Sequence, residues 1–151
     1  MGLALEPQIE RMATLRTELS VDAPVDHVWR AFRDVGAVHR RLAQGFVTDC
    51  QLDGDTRVVT FANGMVARER IVTVDETARR IAYAASADGL SHHNASFEVL
   101  SEGPRRTRVI WVADLLPDDM AGGIGAMMDE GSRAMKRTLE ATDATEVRDA
   151  R

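Results

Sequence analysis

The sequence PDDMAGGIGAMMDEGSRAMKRTLEAT at residues 117–142 is the most informative part of this chain for its fold. Pro117 opens a segment in which apolar side chains recur at helical spacing, and this pattern predicts one long helix. Asp118 and Asp119 lie at its positive end, where carboxylates are stabilised. The apolar stripe consists of Met120, Ile124, Met127, Met128, Gly131, Met135 and Leu139. The chain therefore closes with a long helix that has one face to bury.

The residues before this helix alternate between apolar and polar with a period near two, which is typical of strands. Six strands are predicted, at about 46–53, 56–62, 65–74, 79–87, 93–101 and 106–116. Short turns separate them, and Asn63-Gly64 is the strongest hairpin signal among these turns. Because such short connections join antiparallel neighbours, the strands are expected to form one antiparallel sheet.

The N-terminal part supplies a further strand and two short helices. Residues 13–21 alternate cleanly, which predicts a half-buried strand. Pro24 suits the first position of a helix, because its missing N–H needs no partner there. Gly36 ends this helix, and Gly45 ends a second short one. The stripe of the first helix consists of Val25, Val28, Trp29 and Phe32.

Size and composition are those of an ordinary globular domain. The 151 residues suit one domain, predicted at 13–142, with a flexible arm at 1–12 and a flexible tail at 143–151. The net charge of −5, without a basic block, argues against nucleic-acid binding. The single cysteine, Cys50, excludes an intramolecular disulfide and suits the cytoplasm. No apolar run approaches the roughly 20 residues that span a bilayer. The sequence neither predicts nor excludes a homodimer.

The predicted elements form an α+β fold in which a seven-stranded antiparallel sheet wraps around the C-terminal helix. One helix cannot fill the concave side of a curved sheet, so we expect an internal cavity between them. Gly131 removes a side chain from the helix stripe at this contact. Gly122, Gly123 and Gly125 weaken the first turns of the helix, so the cavity entrance is expected to move there and near Gly89.

Glu69 is the strongest candidate for chemistry. The strand at 65–74 has one face with Val66, Arg68, Arg70 and Val72 and another with Ala67, Glu69 and Ile71. Two guanidiniums in an apolar cavity cost more than one carboxyl that can stay protonated, so Glu69 is predicted to face inward. Burial there would raise its pKa and make it a general acid or base. The alternative is that a bulge shifts the register and Glu69 pairs with an arginine at the surface.

His93 and Tyr83 are the other candidates for catalysis. His92 and His93 cannot both bind one ion from a regular strand, because adjacent residues point to opposite faces, and no metal site is predicted. If Phe97 faces inward, His93 does too, and a neutral His93 could exchange a proton with a substrate or with Glu69. The Tyr83 hydroxyl could orient a carbonyl or simply anchor the ring to the sheet.

The remaining candidates would line the cavity and contact a ligand. Asp114 lies near a strand end, where it could equally cap the following helix. Methionine side chains on the long helix can serve both as core and as an adaptable ligand surface. The spacing on another face of the helix predicts a solvated ion-pair ladder of Asp129, Arg133 and Arg137. Two further histidines, His27 and His39, are expected at the surface or in packing. The predicted ligand-binding residues are Trp111, Phe97, Ile71, Met127, Met128, Met135 and Asp114.

Several segments together resemble the START-like helix-grip superfamily, and within it the polyketide cyclase/dehydrase group of the SRPBCC families. The resemblance covers roughly residues 13–141. Its segments are Ser20-Val21-Asp22-Ala23-Pro24-Val25 leading into Val28-Trp29-Arg30-Ala31-Phe32, Arg68-Glu69-Arg70-Ile71, Arg79-Arg80-Ile81-Ala82-Tyr83, and Trp111 followed by Asp114-Leu115-Leu116-Pro117. Members of this superfamily share a shape yet differ in chemistry, so the resemblance implies a fold more than a reaction.

The resemblance implies two kinds of function, both of which need no cofactor. In the first, the protein binds a small hydrophobic or aromatic molecule and catalyses a cyclisation or dehydration. Glu69 would take a proton alpha to a carbonyl, and His93 or Tyr83 would protonate or orient the departing oxygen. In the second, the protein is a non-catalytic carrier or sensor of a lipid or another hydrophobic metabolite. The sequence leaves open which of the two holds.

Overall fold

A computed structural model describes residues 11–150 and confirms the predicted helix-grip fold. Two short helical segments follow the first strand, and a single turn of 3-10 helix precedes the long helix. The strands are β1 Ala13–Val21, β2 Val47–Asp53, β3 Thr56–Phe61, β4 Val66–Asp75, β5 Arg80–Ser86, β6 His92–Gly103 and β7 Arg106–Leu116. The helical segments are α1 Val25–Arg33, the π-helical turn Val38–Leu42, the 3-10 turn Asp118–Met120 and α2 Ala121–Asp149.

The seven strands form one antiparallel sheet in the order β1-β7-β6-β5-β4-β3-β2. Consecutive strands from β2 to β7 are neighbours because short turns join them, and β1 adds to the far edge beside β7. Helix α2 packs against β1 and against the π-helical turn. The helix therefore crosses the concave side of the sheet, which leaves a space between it and the central strands.

The core follows the alternation of the strands. On β7 the inward residues are Thr107, Val109, Trp111, Ala113 and Leu115, and all five are buried. From α2 the buried side chains Met128, Met135 and Leu139 face this surface.

Among the helices of residues 11–150, none is long and apolar enough to span a membrane.

The long helix continues beyond the predicted domain boundary at residue 142. The tail expected from residue 143 is helical as far as Asp149. Asp143 lies one turn beyond Leu139 on the buried face, and its carboxylate accepts a hydrogen bond from Arg105. Asp143 is buried while its partner Arg105 stays exposed, so this ion pair continues the packed face in polar form, which an apolar stripe cannot reveal. Of the predicted arm at 1–12, residues 1–10 lie outside the described part of the chain.

The first turns of α2 are the expected weak point of the structure. Gly122 and Gly123 are exposed, and a Cβ at either position would meet no neighbouring atom within 4 Å. Each glycine costs the helix about 1 kcal/mol relative to alanine. We expect fast amide hydrogen exchange across 118–126 and slow exchange across 130–139, and Gly122→Ala with Gly123→Ala should slow the fast segment. Equal protection along the whole helix would contradict this expectation.

Candidate functional site

A pocket of about 100 Å³ lies between the central strands and α2. Buried apolar residues form part of its wall, among them Val38, Leu42 and Val59. Other wall residues are partly exposed, including Leu90 and Met65, of which Met65 is 38% exposed. The pocket is therefore lined mainly by apolar side chains, some of which reach the surface.

Five polar or aromatic side chains bring hydrogen-bonding groups to this apolar pocket: Arg57, Glu69, Tyr83, His93 and Trp111. The Arg57 Nε donates to Glu69 Oε1 at 2.7 Å, and these side chains are only 5% and 12% exposed. The Arg57 guanidinium carbon lies 5.4 Å from the centre of the Tyr83 ring, a cation–π contact. A buried ion pair is thus part of the pocket wall.

The strand register explains why this pair forms. Arg57 and Glu69 stand directly opposite each other on β3 and β4, and cross-strand partners on one face are in contact range. The register shift in β4 comes later, between Ile71 and Thr73, so it leaves Glu69 inward. Glu69 therefore faces the pocket as predicted. It is paired with an arginine, as in the alternative prediction, but the arginine is buried rather than at the surface.

The ion pair fixes the charge of Arg57. Burial opposes a guanidinium charge, yet the Glu69 carboxylate close by outweighs this effect and raises the pKa of Arg57 above its usual value. The second guanidinium contact is a long hydrogen bond from Nη1 to the Val35 carbonyl, at 3.4 Å. Arg57 is therefore a permanent cation that Glu69 holds against the pocket.

Tyr83 is held as a neutral phenol. Burial raises the pKa of its hydroxyl well above the ordinary range, and the nearby Glu69 charge adds to this effect. The Tyr83 oxygen accepts a hydrogen bond from Trp111 Nε1 at 3.1 Å. Its own hydrogen can then be donated towards the pocket.

His93 lines the same pocket, with its ring centre 6.2 Å from that of Tyr83. Its Nδ1 is buried, and among residues 11–150 it has no hydrogen-bond partner. Burial lowers the pKa of His93, although Glu69 partly opposes the shift, so the imidazole is neutral near pH 7. A ligand with a polar group would find an unused hydrogen-bonding atom here.

The burial of His93 is expected to make the stability of the protein depend on pH. Because the folded protein holds fewer protons on His93 than the unfolded chain, the free energy of unfolding should fall as the pH drops below about 6.5. His93→Gln removes this contribution, so its unfolding free energy should depend less steeply on pH than that of the wild type. Urea unfolding between about pH 5 and 8 would measure the difference. Parallel pH profiles for the two proteins would contradict the assignment.

The structure corrects two predicted ligand contacts. Asp114 is on the opposite face of β7 from Trp111, where it accepts a hydrogen bond from Thr14 Oγ1 at 2.6 Å, and it does not line the pocket. Ile71 packs at the edge of the core outside the lining, because the register shift after it turns the strand. The other predicted lining residues are all in the pocket wall: Trp111, Phe97, Met127, Met128 and Met135.

Sequence reasoning missed Arg57, whereas the burial of His27 agrees with the packing alternative given for it. His27 is buried at the contact of α1 with α2, next to Asp143 and Glu146, and these three offer ligand atoms within 4.8 Å of one another. Arg105 and Arg30, however, already bind the two carboxylates. Guanidiniums therefore balance the negative charge of this group, which acts as a tether between the two helices.

Comparison with known proteins confirms the predicted relationship. The chain belongs to the family described as polyketide cyclase / dehydrase and lipid transport, which matches residues 12–140. No curated protein matches the sequence significantly.

Solved structures of the START-like type are similar in fold. An aromatase/cyclase, Zhui, from Streptomyces sp. R1128 has a TM-score of 0.67 at 18% identity, covering 93% of this chain and 98% of its own. A norcoclaurine synthase from Thalictrum flavum has 0.63 at 20% identity, covering 89% and 99%. A START superfamily protein from Mycobacterium smegmatis has 0.67 at 13% identity, covering 87% and 97%. At these identities the likeness concerns the fold.

Proposed function

We propose that the pocket binds a small molecule with an aromatic or other apolar body and a carbonyl group, and that Glu69 moves a proton on it without a cofactor. One observation supports this above all others. A carboxylate, a guanidinium, a neutral phenol and a neutral imidazole converge on a pocket whose other walls are apolar. A few polar groups in an apolar pocket are typical of ligand sites.

The walls limit the size of the ligand. A dry apolar cavity of about 150 Å³ is enough for one benzene ring. The pocket of about 100 Å³ is somewhat smaller than this, so a single small ring needs a modest displacement of the wall. Met127, Met128 and Met135 lie along one wall, and flexible thioether side chains can move to admit a somewhat larger molecule.

The polar groups divide into donors and a base. The Arg57 guanidinium and the Tyr83 hydroxyl can donate to a ligand carbonyl oxygen. Glu69 can then take a proton from the carbon alpha to that carbonyl, and the electron pair of the broken C–H bond moves to the oxygen as an enolate. Arg57 and Tyr83 stabilise the new negative charge. If the substrate carries a β-hydroxyl, the protonated Glu69 can return its proton to that oxygen while the neutral His93 orients the hydroxyl by a hydrogen bond. The group then leaves as water, the enolate electrons form the new C=C bond, and the dehydration is complete.

A non-catalytic carrier or sensor is the second candidate, and the ion pair itself favours it. The positive charge of Arg57 already balances the negative charge of Glu69. An ion pair of this kind can hold the polar end of a ligand by hydrogen bonds without moving a proton. The family description names lipid transport beside cyclase and dehydrase activity. The two candidates differ in one property, which is whether Glu69 accepts a proton from the ligand.

Deuterium uptake separates the two candidates. Acetophenone, a single ring with an enolisable methyl ketone, is incubated with the protein in D₂O, and loss of its methyl signal is followed by proton NMR. If the protein is a catalyst, acetophenone should take up deuterium faster with the wild-type protein than in buffer alone. Glu69→Gln should lower the protein-catalysed rate of uptake about 100-fold. Glu69→Asp keeps a negative charge beside Arg57, but its shorter side chain holds the carboxylate farther from the ligand. The rate of deuterium uptake should therefore be low in this variant too. Binding without accelerated uptake would leave the carrier, and neither binding nor uptake would contradict both.

A further inference from the structure

Two aromatic rings separate the inner pocket from a surface groove. Phe46 and Phe61 line the inner pocket and also line a groove of about 330 Å³ on the outside. The two rings meet edge to face, with centres 5.3 Å apart and planes at 63°. The wall between the two spaces is therefore only a pair of side chains.

Helix α2 leaves room for this wall. A Cβ at Gly131 would lie 3.0 Å from Cε1 of Phe46 and 3.3 Å from Cζ3 of Trp111. Any side chain at this position would push the Phe46 ring aside. Gly45, just before Phe46, has a φ of +83°, a conformation that glycine adopts without strain. The bare helix surface and this turn together place the Phe46 ring between the two spaces.

The groove carries an available positive charge. Asn63, Glu130 and Arg137 line it with Ala62 and Ala134. The predicted ion-pair ladder of Asp129, Arg133 and Arg137 does not form: within residues 11–150, no carboxylate lies within 4.0 Å of the Arg137 guanidinium. An arginine without a partner is suited to bind a carboxylate.

Glu130 does not cancel this charge. It precedes Arg137 by about two helical turns, which is roughly 10 Å along the axis. Among residues 11–150 Glu130 forms no ion pair with Arg137, so the guanidinium remains available to an anion in the groove that both side chains line.

We propose that the groove is an outer part of the ligand site, which takes the carboxylate end of an elongated ligand whose apolar end occupies the inner pocket. Phe46 turns aside to join the two spaces. The inner pocket of about 100 Å³ is small for a ligand site, whereas the two spaces together reach the usual range of about 300–1,000 Å³. The inference rests on the proposed function, in that the inner pocket must accept an apolar group.

Matched probes test this inference by calorimetric titration. 6-Phenylhexanoic acid should bind wild type about tenfold more tightly than 6-phenylhexan-1-ol, on the scale of a hydrogen bond to a charged group. The acid should also displace acetophenone, because their rings share the inner pocket. Arg137→Gln should abolish the preference for the acid and leave acetophenone binding unchanged. Arg133→Gln, one turn earlier and outside the groove lining, should keep the preference.

A second variant blocks the groove without touching the inner pocket. Ala62 is exposed and lines only the groove of the two spaces, so Ala62→Trp should weaken both long probes and leave acetophenone binding intact. If acetophenone binds but the acid has no advantage over the alcohol, the outer site is wrong and the proposed function stands. If the acid binds through Arg137 without displacing acetophenone, the joined site is wrong. If no probe binds, both the inference and the proposed function fail.

Discussion

Replacing Glu69 with glutamine is expected to lower the free energy of unfolding by about 3–5 kcal/mol, the usual cost of removing one partner of a buried ion pair. The Arg57 side chain is 5% exposed and cannot reach bulk water. Glutamine can still accept a hydrogen bond from Nε, but it brings no negative charge. Arg57 is too basic to lose its proton, so the folded state would hold an uncompensated buried cation.

The ion pair of Arg70 with Asp55 provides the control on the same strand. Its side chains are 71% and 58% exposed, so Asp55→Asn should cost less than about 1 kcal/mol. Urea unfolding of both variants gives the comparison. The double variant Arg57→Leu with Glu69→Leu should recover much of the loss, because no charge remains buried. Equal and small effects of Glu69→Gln and Asp55→Asn would show that the inner pair is solvated.

Replacing Phe97 with alanine is expected to cost about 3–5 kcal/mol, the scale for removing a buried aromatic side chain. Phe97 is 3% exposed and lies at the centre of an aromatic cluster. Its ring centre is 4.6 Å from that of Trp111, 4.9 Å from Phe32 and 6.0 Å from Tyr83. The space left behind would be continuous with the ligand pocket, because Phe97 forms part of its wall.

The outward neighbour of Phe97 on β6 serves as control. Ser96 is half-buried on the opposite face, and Ser96→Ala should change the unfolding free energy by less than about 0.5 kcal/mol. The enlarged pocket of Phe97→Ala should also bind 1-acetonaphthone, with its two fused rings, more tightly relative to acetophenone than wild type does. A decrease of less than about 1 kcal/mol in the unfolding free energy, with unchanged ligand preference, would show that Phe97 contributes little to the stability of the core.

The strands were predictable because alternation and turns act locally. The short turns determine the order of β2 to β7 in the sheet, and the period of two determines the face of each side chain. The end of α2 was less predictable, because the buried Asp143 forms an ion pair with the exposed Arg105 instead of packing as an apolar side chain. A buried polar residue looks like a solvent-exposed one in the sequence.

The burial of Arg57 was not predicted, because the cost of burying a guanidinium was weighed only for Arg68 and Arg70, without a carboxylate partner. A guanidinium beside a carboxylate is far less costly to bury than either group alone. The sequence does contain the signal: Arg57 and Glu69 are equally distant from Asn63 in the hairpin turn, which places them opposite each other. Period two also puts Arg57 on the inward face of β3 with Val59.

We expect the pocket beside Arg57 and Glu69 to bind a small molecule with an apolar body and a carbonyl group. Calorimetric titration with acetophenone tests it on wild type and on two matched variants. Ala85 lines the pocket, and its neighbour Ala84 does not, so Ala85→Phe fills the pocket and Ala84→Phe is the control. For a ligand of nine heavy atoms we expect a Kd of about 0.1–1 mM in wild type and in Ala84→Phe. Binding should be undetectable in Ala85→Phe, whereas no binding to wild type, or equal binding to Ala85→Phe, would contradict the account.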